Sequence, residues 1–159
     1  MSRRFMFVFA GILLIGWMAG AVAGPNPDAQ KIEACLKATR EKGVSQTACI
    51  GIIADPCIAT AIKTNDFIKG SVACAARELP IWTARLQRAI PGVKAGGKEV
   101  ASAVAASQKS FTDSLAKLCP VYDKVDPGMA LGGATYCRLQ ETAMRAILIE
   151  RLSDAVNPH

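Results

Sequence analysis

The clearest structural signal in the chain is residues 98–119, KEVASAVAASQKSFTDSLAKLC. Its large apolar side chains recur at spacings of four, seven, four and three residues: Val100, Val104, Phe111, Leu115 and Leu118. This spacing is typical of one face of an α-helix that packs against a core. The segment therefore predicts a helix over residues 98–118, which we expect Pro120 to end.

The rest of the chain also favours helices. No stretch alternates apolar and polar residues over the length of a strand. We expect Pro56 to break or kink the second helix, and Pro80 to kink the third helix or to delay its start. The other predicted helices cover residues 28–42, 45–54, 70–90 and 134–154. A further short helical piece is predicted at residues 57–62. The predicted fold class is all-α, a small helical bundle of about four to five helices.

Composition excludes several kinds of protein. With 159 residues, 51% of them hydrophobic and 20% charged, the chain has the length of one domain and too much apolar content to be disordered. Its one histidine is His159. A Ser-His-Asp triad or a metal site with two imidazole ligands therefore cannot form within this domain. The sequence predicts no catalytic residue, no cofactor and no metal site.

Residues 1–23 have the pattern of a cleavable signal peptide. Arg3 and Arg4 precede an apolar run over residues 5–19, and Ala-Val-Ala at 21–23 is typical of a signal-peptidase site. A retained membrane anchor is the alternative, since the apolar run is nearly long enough to span a bilayer. Cleavage would leave residues 24–159 as a single soluble domain without a stable membrane span. The loss of two arginines would lower the net charge from +6 to +4.

Six cysteines lie in the predicted mature chain: Cys35, Cys49, Cys57, Cys74, Cys119 and Cys137. An exported chain meets an oxidising compartment, where disulfides persist. Zinc or thioredoxin-type chemistry is the alternative, but both favour a C-x-x-C spacing that is absent. Six cysteines allow fifteen pairings. We expect neighbours to pair (35–49, 57–74 and 119–137), each closing a loop of roughly 15 to 19 residues.

Two stretches resemble the LprI-type lysozyme-inhibitor domain of exported bacterial proteins. CAARELPIWTARLQ, residues 74–87, is similar to the family's C-x-x-x-E…W-D-x-x-L-N helix through Cys74, Glu78 and Trp82. The second stretch is similar to Q-x-x-W…C, G-G-S and C-x-x-x-x-T-x-x-R elements, in the same order. The residues that match or replace these are Gln108, Phe111, Cys119, Gly132, Gly133, Cys137, Thr142 and Arg145.

The resemblance implies a helical protein that binds the cleft of a lysozyme, and it implies the same neighbour pairing of cysteines. We expect the loop 120–133, between Cys119 and Cys137, to contact the partner. Its candidate contact residues are Tyr122, Asp123, Asp126, Gly132 and Gly133. The alternative is that this segment is only a glycine-rich connection between helices.

Charge favours a second function. A net charge of +4 gives no long-range attraction to a basic lysozyme. The alternative is a periplasmic, envelope-associated structural or interaction module that binds an anionic partner such as cell-wall polymer. The basic residues form no run of five and rarely alternate with aromatic residues, which argues against nucleic acid.

An enzyme is the third class of function. Glu78 is the best candidate acid, but a glycosidase needs a second carboxylate, and the sequence nominates none. Glu78 more often caps a helix end or forms an ion pair. The prediction is therefore a periplasmic or secreted binding protein, without enzymatic activity.

Overall fold

The computed structural model describes residues 26–64, 67–125 and 132–158. Within these ranges the chain forms five α-helices and no strand: α1 Pro27–Glu41, α2 Ala54–Lys63, α3 Phe67–Gly92, α4 Gly97–Val125 and α5 Gly133–Val156. Short 3-10 turns at Gln46–Cys49 and Val93–Gly96 lie in two of the connections. The predicted all-α bundle is confirmed.

Helices α3 and α5 form the centre of the bundle. Trp82 and Leu86 of α3 pack in one core with Leu139 and Ile149 of α5, and all four side chains are buried. Each such large side chain contributes about 1.5–3 kcal/mol when it is fully buried. Helix α2 packs on α3, whereas α4 packs on α5 and on the turn Val93–Gly96.

The three predicted disulfides are confirmed: Cys35–Cys49, Cys57–Cys74 and Cys119–Cys137, with Cα–Cα distances of 5.8, 5.6 and 5.5 Å. The first joins α1 to the turn Gln46–Cys49, the second joins α2 to α3, and the third joins α4 to α5. Together they involve all five helices. Three disulfides are typical of proteins in oxidising compartments.

The prediction of a helix over residues 45–54 is wrong, whereas the short helical piece predicted at 57–62 lies within α2. Within residues 45–54 only Gln46–Cys49 forms a short 3-10 turn, and α2 begins at Ala54. Pro56 lies in the first turn of α2, where a backbone N–H has no partner within the helix. Proline is tolerated there, so Pro56 stands near the start of this helix and does not break it.

The prediction that Pro120 ends the fourth helix is also wrong. Helix α4 continues through Pro120 to Val125. The apolar pattern was only partly correct, since Val104 is buried but Leu118 is 50% exposed. Cys119, directly before the proline, is fully buried and is bonded to α5. That tertiary bond offsets the cost of a proline inside a helix.

The predicted signal peptide, residues 1–23, lies outside the described residues. Among the helices that the structure describes, none combines the length and the apolar character needed to cross a bilayer.

Candidate functional site

Glu78 is the most enclosed charged residue in the described part of the chain, with no exposed surface. Its carboxylate accepts four hydrogen bonds. Oε1 accepts from the Gly51 backbone N–H (2.9 Å) and from the Trp82 indole Nε1–H (2.7 Å). Oε2 accepts from the backbone N–H groups of Ile53 (3.0 Å) and Ala54 (2.8 Å).

This carboxylate caps α2 from another helix. The first N–H groups of a helix lack partners and carry partial positive charge. Ile53, at the cap position of α2, provides no side-chain hydrogen bond. Glu78 of α3 supplies the missing acceptor, and Gly51 adopts a left-handed φ of 86° in the turn that reaches it. Of the two structural roles expected for Glu78, a helix cap or an ion pair, the structure shows the helix cap, and the C-x-x-x-E…W motif stabilises the junction of α2 and α3.

Two further contacts fix this junction. Cys57 and Cys74 join α2 and α3 covalently, with Cys74 one turn before Glu78. Tyr136 of α5 donates a hydrogen bond from its hydroxyl to Asp55 Oδ1 (2.7 Å). Burial, together with the hydrogen bond to Asp55 and its negative charge, raises the pKa of Tyr136 to about 12. Helices α2, α3 and α5 therefore meet in one polar cluster.

A second polar cluster surrounds Arg85, which lies on α3 and is 8% exposed. It donates hydrogen bonds to Glu33 of α1 and to Glu150 of α5, the latter from Nη2 to Oε2 at 3.0 Å. Burial alone would lower the pKa of Arg85, but hydrogen bonds to Glu150 and Glu33 outweigh it and raise that pKa. The hydrogen bond from Arg85 lowers the pKa of Glu33. The pattern of the sequence did not indicate this cluster.

The first residues of the predicted contact loop, 120–133, are helical in the structure. Tyr122 and Asp123 lie in the last turns of α4, not in a loop. Asp123 Oδ1 accepts a hydrogen bond from the backbone N–H of Ala134 (2.8 Å), so it caps the start of α5. Tyr122 is about half exposed. Asp126 lies outside the described residues.

Gly132 and Gly133 begin α5 in conformations that few other residues adopt, with φ of 75° and 49°. A Cβ atom on Gly132 would lie 3.2 Å from the backbone oxygen of Ser71 in α3. A Cβ atom on Gly133 would collide with Asp123. The two glycines are therefore explained by the turn and by the close approach of α3 and α4.

The second set of motif residues meets between α4 and α5. Arg145 Nε donates to Gln108 Oε1 (3.2 Å), and its Nη2 donates to Ser107 Oγ (2.9 Å). Its guanidinium also lies over the Phe111 ring, 5.6 Å from the centroid. The elements that carry the resemblance are therefore brought together in space, as contacts between helices.

The end of α4 presents an apolar surface, of which the sequence nominated only Tyr122 as a contact residue. Four side chains of its last two turns are exposed: Leu118, Val121, Tyr122 and Val125. We call these four residues the α4-end surface. Val125 is the most exposed of them, at 76%. Clusters of exposed apolar side chains are typical of surfaces that bind other proteins.

In residues 26–64, 67–125 and 132–158, no three His, Cys, Asp or Glu side chains form a group that could hold a metal ion. Comparisons of the chain with models of protein families, with curated proteins and with solved structures find no match.

Proposed function

We propose that this chain is an exported binding protein of the lysozyme-inhibitor type, which acts in the periplasm or outside the cell by protein–protein contact and not by catalysis. The α4-end surface is the observation that carries the proposal, because it exposes one aromatic and three aliphatic side chains on an ordered helix. The motif resemblance to the LprI-type domain supplies the class of partner, a lysozyme.

The α4-end surface is ordered before any partner binds. Cys119 ties this part of α4 to Cys137, and Asp123 bonds to the first turn of α5. A surface that is already ordered loses little conformational entropy on binding, which suits an inhibitor. Tyr122 is the natural anchor residue, since tyrosine is enriched among the residues that dominate binding energy.

The surroundings of Glu78 support binding over catalysis. Its two oxygens accept four hydrogen bonds from the protein, and the side chain has no exposed surface. A general acid must reach its substrate within hydrogen-bond distance, which an enclosed carboxylate does not do. Glu78, the one candidate catalytic acid in the sequence, therefore has a structural role as a helix cap.

A bacterial lysis assay tests the proposal. The oxidised protein, at tens of micromolar, is mixed with c-type and g-type lysozymes, and we expect lysis by at least one class to slow. Tyr122→Ala should weaken inhibition by roughly thirtyfold, the effect of losing an anchor residue worth about 2 kcal/mol. Leu148→Ala is the matched control, because Leu148 is 56% exposed on α5 outside the α4-end surface. Unchanged lysis with both classes would contradict the proposal.

Charge supports a second candidate, an envelope-associated module that binds an anionic polymer. The predicted mature chain has 17 basic and 13 acidic side chains, since the signal peptide removes two of the 19 basic residues and no acidic one. A pull-down on peptidoglycan at low and high salt tests it. Electrostatic binding should appear at low salt and weaken at high salt. Absence of binding at both salt concentrations would reject this candidate.

A further inference from the structure

A groove with balanced charge lies where α1, α3 and α5 meet. Its volume is about 330 Å³. Three arginines and three carboxylates line it, together with two small residues: Arg40, Arg85, Arg88, Glu33, Glu150, Asp154, Ala89 and Ser153. A pocket of this size suits a small molecule.

The base of the groove is fixed by the Arg85 cluster. Arg85 is more than nine-tenths buried and is held between Glu33 and Glu150. Its Nε also lies 2.9 Å from Glu150 Oε1, so two carboxylates hold the guanidinium in place. The groove therefore has a polar base whose charges are already paired.

The walls carry opposite charges that are not paired. Arg88 on α3 and Asp154 on α5 are both exposed, and neither forms an ion pair with any residue that the structure describes. Arg40 of α1 has its Nη2 3.9 Å from Glu33, and its Nε donates to the Leu36 carbonyl at 3.4 Å. The positive charges of Arg40 and Arg88 help to lower the pKa of Glu33, but Arg88 and Asp154 each lack an ion pair of their own among the described residues and line the same small space.

We propose that this groove binds a small zwitterion, an amino acid or a dipeptide. Arg88 and Arg40 bind the carboxylate, and Asp154 binds the ammonium group. A ligand with a single charge would pair with only one of these walls and would be repelled by the wall of its own sign. A zwitterion pairs with both walls. This site is separate from the α4-end surface, so it does not depend on the proposed lysozyme inhibition.

NMR titration of the oxidised, isotope-labelled protein tests the proposal with four probes. Alanine and alanyl-alanine carry both charges, N-acetyl-alanyl-alanine lacks the ammonium, and alanyl-alanine amide lacks the carboxylate. We expect saturable shifts of the Ala89 and Ser153 amides with at least one zwitterion. Each capped form should bind at least about tenfold more weakly, because it loses a charge-assisted hydrogen bond. Comparing alanine with alanyl-alanine distinguishes an amino acid from a dipeptide as the preferred ligand.

Two variants assign the charges. Arg88→Gln and Asp154→Asn should each weaken zwitterion binding at least about tenfold. Each should also lose the preference over one capped form: the Arg88 variant over the amide, and the Asp154 variant over the N-acetyl form. Lys117→Gln, on the exposed face of α4, is the control and should bind like the parent protein. No saturable shift with either zwitterion, or equal binding of the capped forms, would overturn the proposal. Unchanged binding by both groove variants would also overturn it.

Discussion

Replacement of Glu78 by glutamine tests the capping role of this residue. Glu78→Gln keeps the size of the side chain but replaces one acceptor oxygen with an NH2 group. Each carboxylate oxygen accepts two hydrogen bonds. The donors to Oε1 are the N–H groups of Gly51 and Trp82, and the donors to Oε2 are the N–H groups of Ile53 and Ala54. In either amide orientation, one pair of donors faces another donor. The substitution therefore strands two N–H groups at a fully buried site.

The expected cost follows from these two stranded donors. A buried donor without a partner costs about 1–3 kcal/mol, so two of them cost about 2–6 kcal/mol. Removing a buried charge offsets part of this, because the carboxylate was itself costly to desolvate. We expect a net loss of about 3 kcal/mol in the free energy of unfolding, a large part of the 5–15 kcal/mol that is usual for a domain.

Guanidinium unfolding under non-reducing conditions measures this loss, followed by circular dichroism. Native-state hydrogen exchange then localises it, since the amides of Gly51, Ile53 and Ala54 should lose protection before those of α5. Glu99→Gln is the matched control because Glu99 is exposed on α4. It should change stability by no more than about 0.5 kcal/mol.

Two results would refute the reasoning about Glu78. One is a loss below about 1 kcal/mol, which is no more than a typical point substitution costs. The other is a larger loss without any change in exchange at Ile53 and Ala54, because the carboxylate would then not be capping α2.

Three other perturbations have defined outcomes. Replacing Cys119 and Cys137 together by serine opens a loop with a sequence separation of 18. Unfolding under non-reducing conditions should then show a loss of about 3 kcal/mol in the free energy of unfolding. Hydrogen exchange should increase in the last turns of α4 before it increases in α3. Ultraviolet titration should find one phenol, Tyr136, ionising at about pH 12, and Asp55→Asn should lower that pKa. Because its pKa is raised, Tyr136 stays protonated to a higher pH in the folded state than in the unfolded state, where the pKa is about 10. The free energy of unfolding should therefore fall as pH rises from 10 to 12. Gly132→Ala should cost at least about 1 kcal/mol in thermal unfolding, since alanine is strained at a φ of 75°.

Local signals predicted the positions of most helices. The predicted bounds 28–42 and 134–154 lie within two residues of α1 and α5. Asn26 caps α1 and Gly43, with a φ of 66°, follows it, so residues adjacent in sequence set both ends of this helix. Trp82 and Leu86, four residues apart on α3 as on one face of a helix, are both buried.

Tertiary contacts explain what the sequence did not predict. Pro120 is a helix breaker by local rules, but the neighbouring disulfide and the Asp123 cap hold the turns around it. Arg85 meets carboxylates that are 52 and 65 residues away in the chain, so no spacing rule could associate them. Met144 and Leu148 are exposed apolar residues of α5, because this helix packs into the core with α3 through other side chains, such as Leu139.

The order of the disulfides has a consequence for how the chain matures. The six cysteines pair in chain order, the first with the second, the third with the fourth and the fifth with the sixth, at sequence separations of 14, 17 and 18. If a polypeptide enters an oxidising compartment with its amino end first, the two cysteines of each native disulfide therefore enter one after the other, before the cysteines of the next disulfide. Oxidation that keeps pace with entry forms each native bond before a competing cysteine arrives. We therefore expect maturation of this protein to proceed without disulfide isomerase, since no incorrect bond has to be reshuffled.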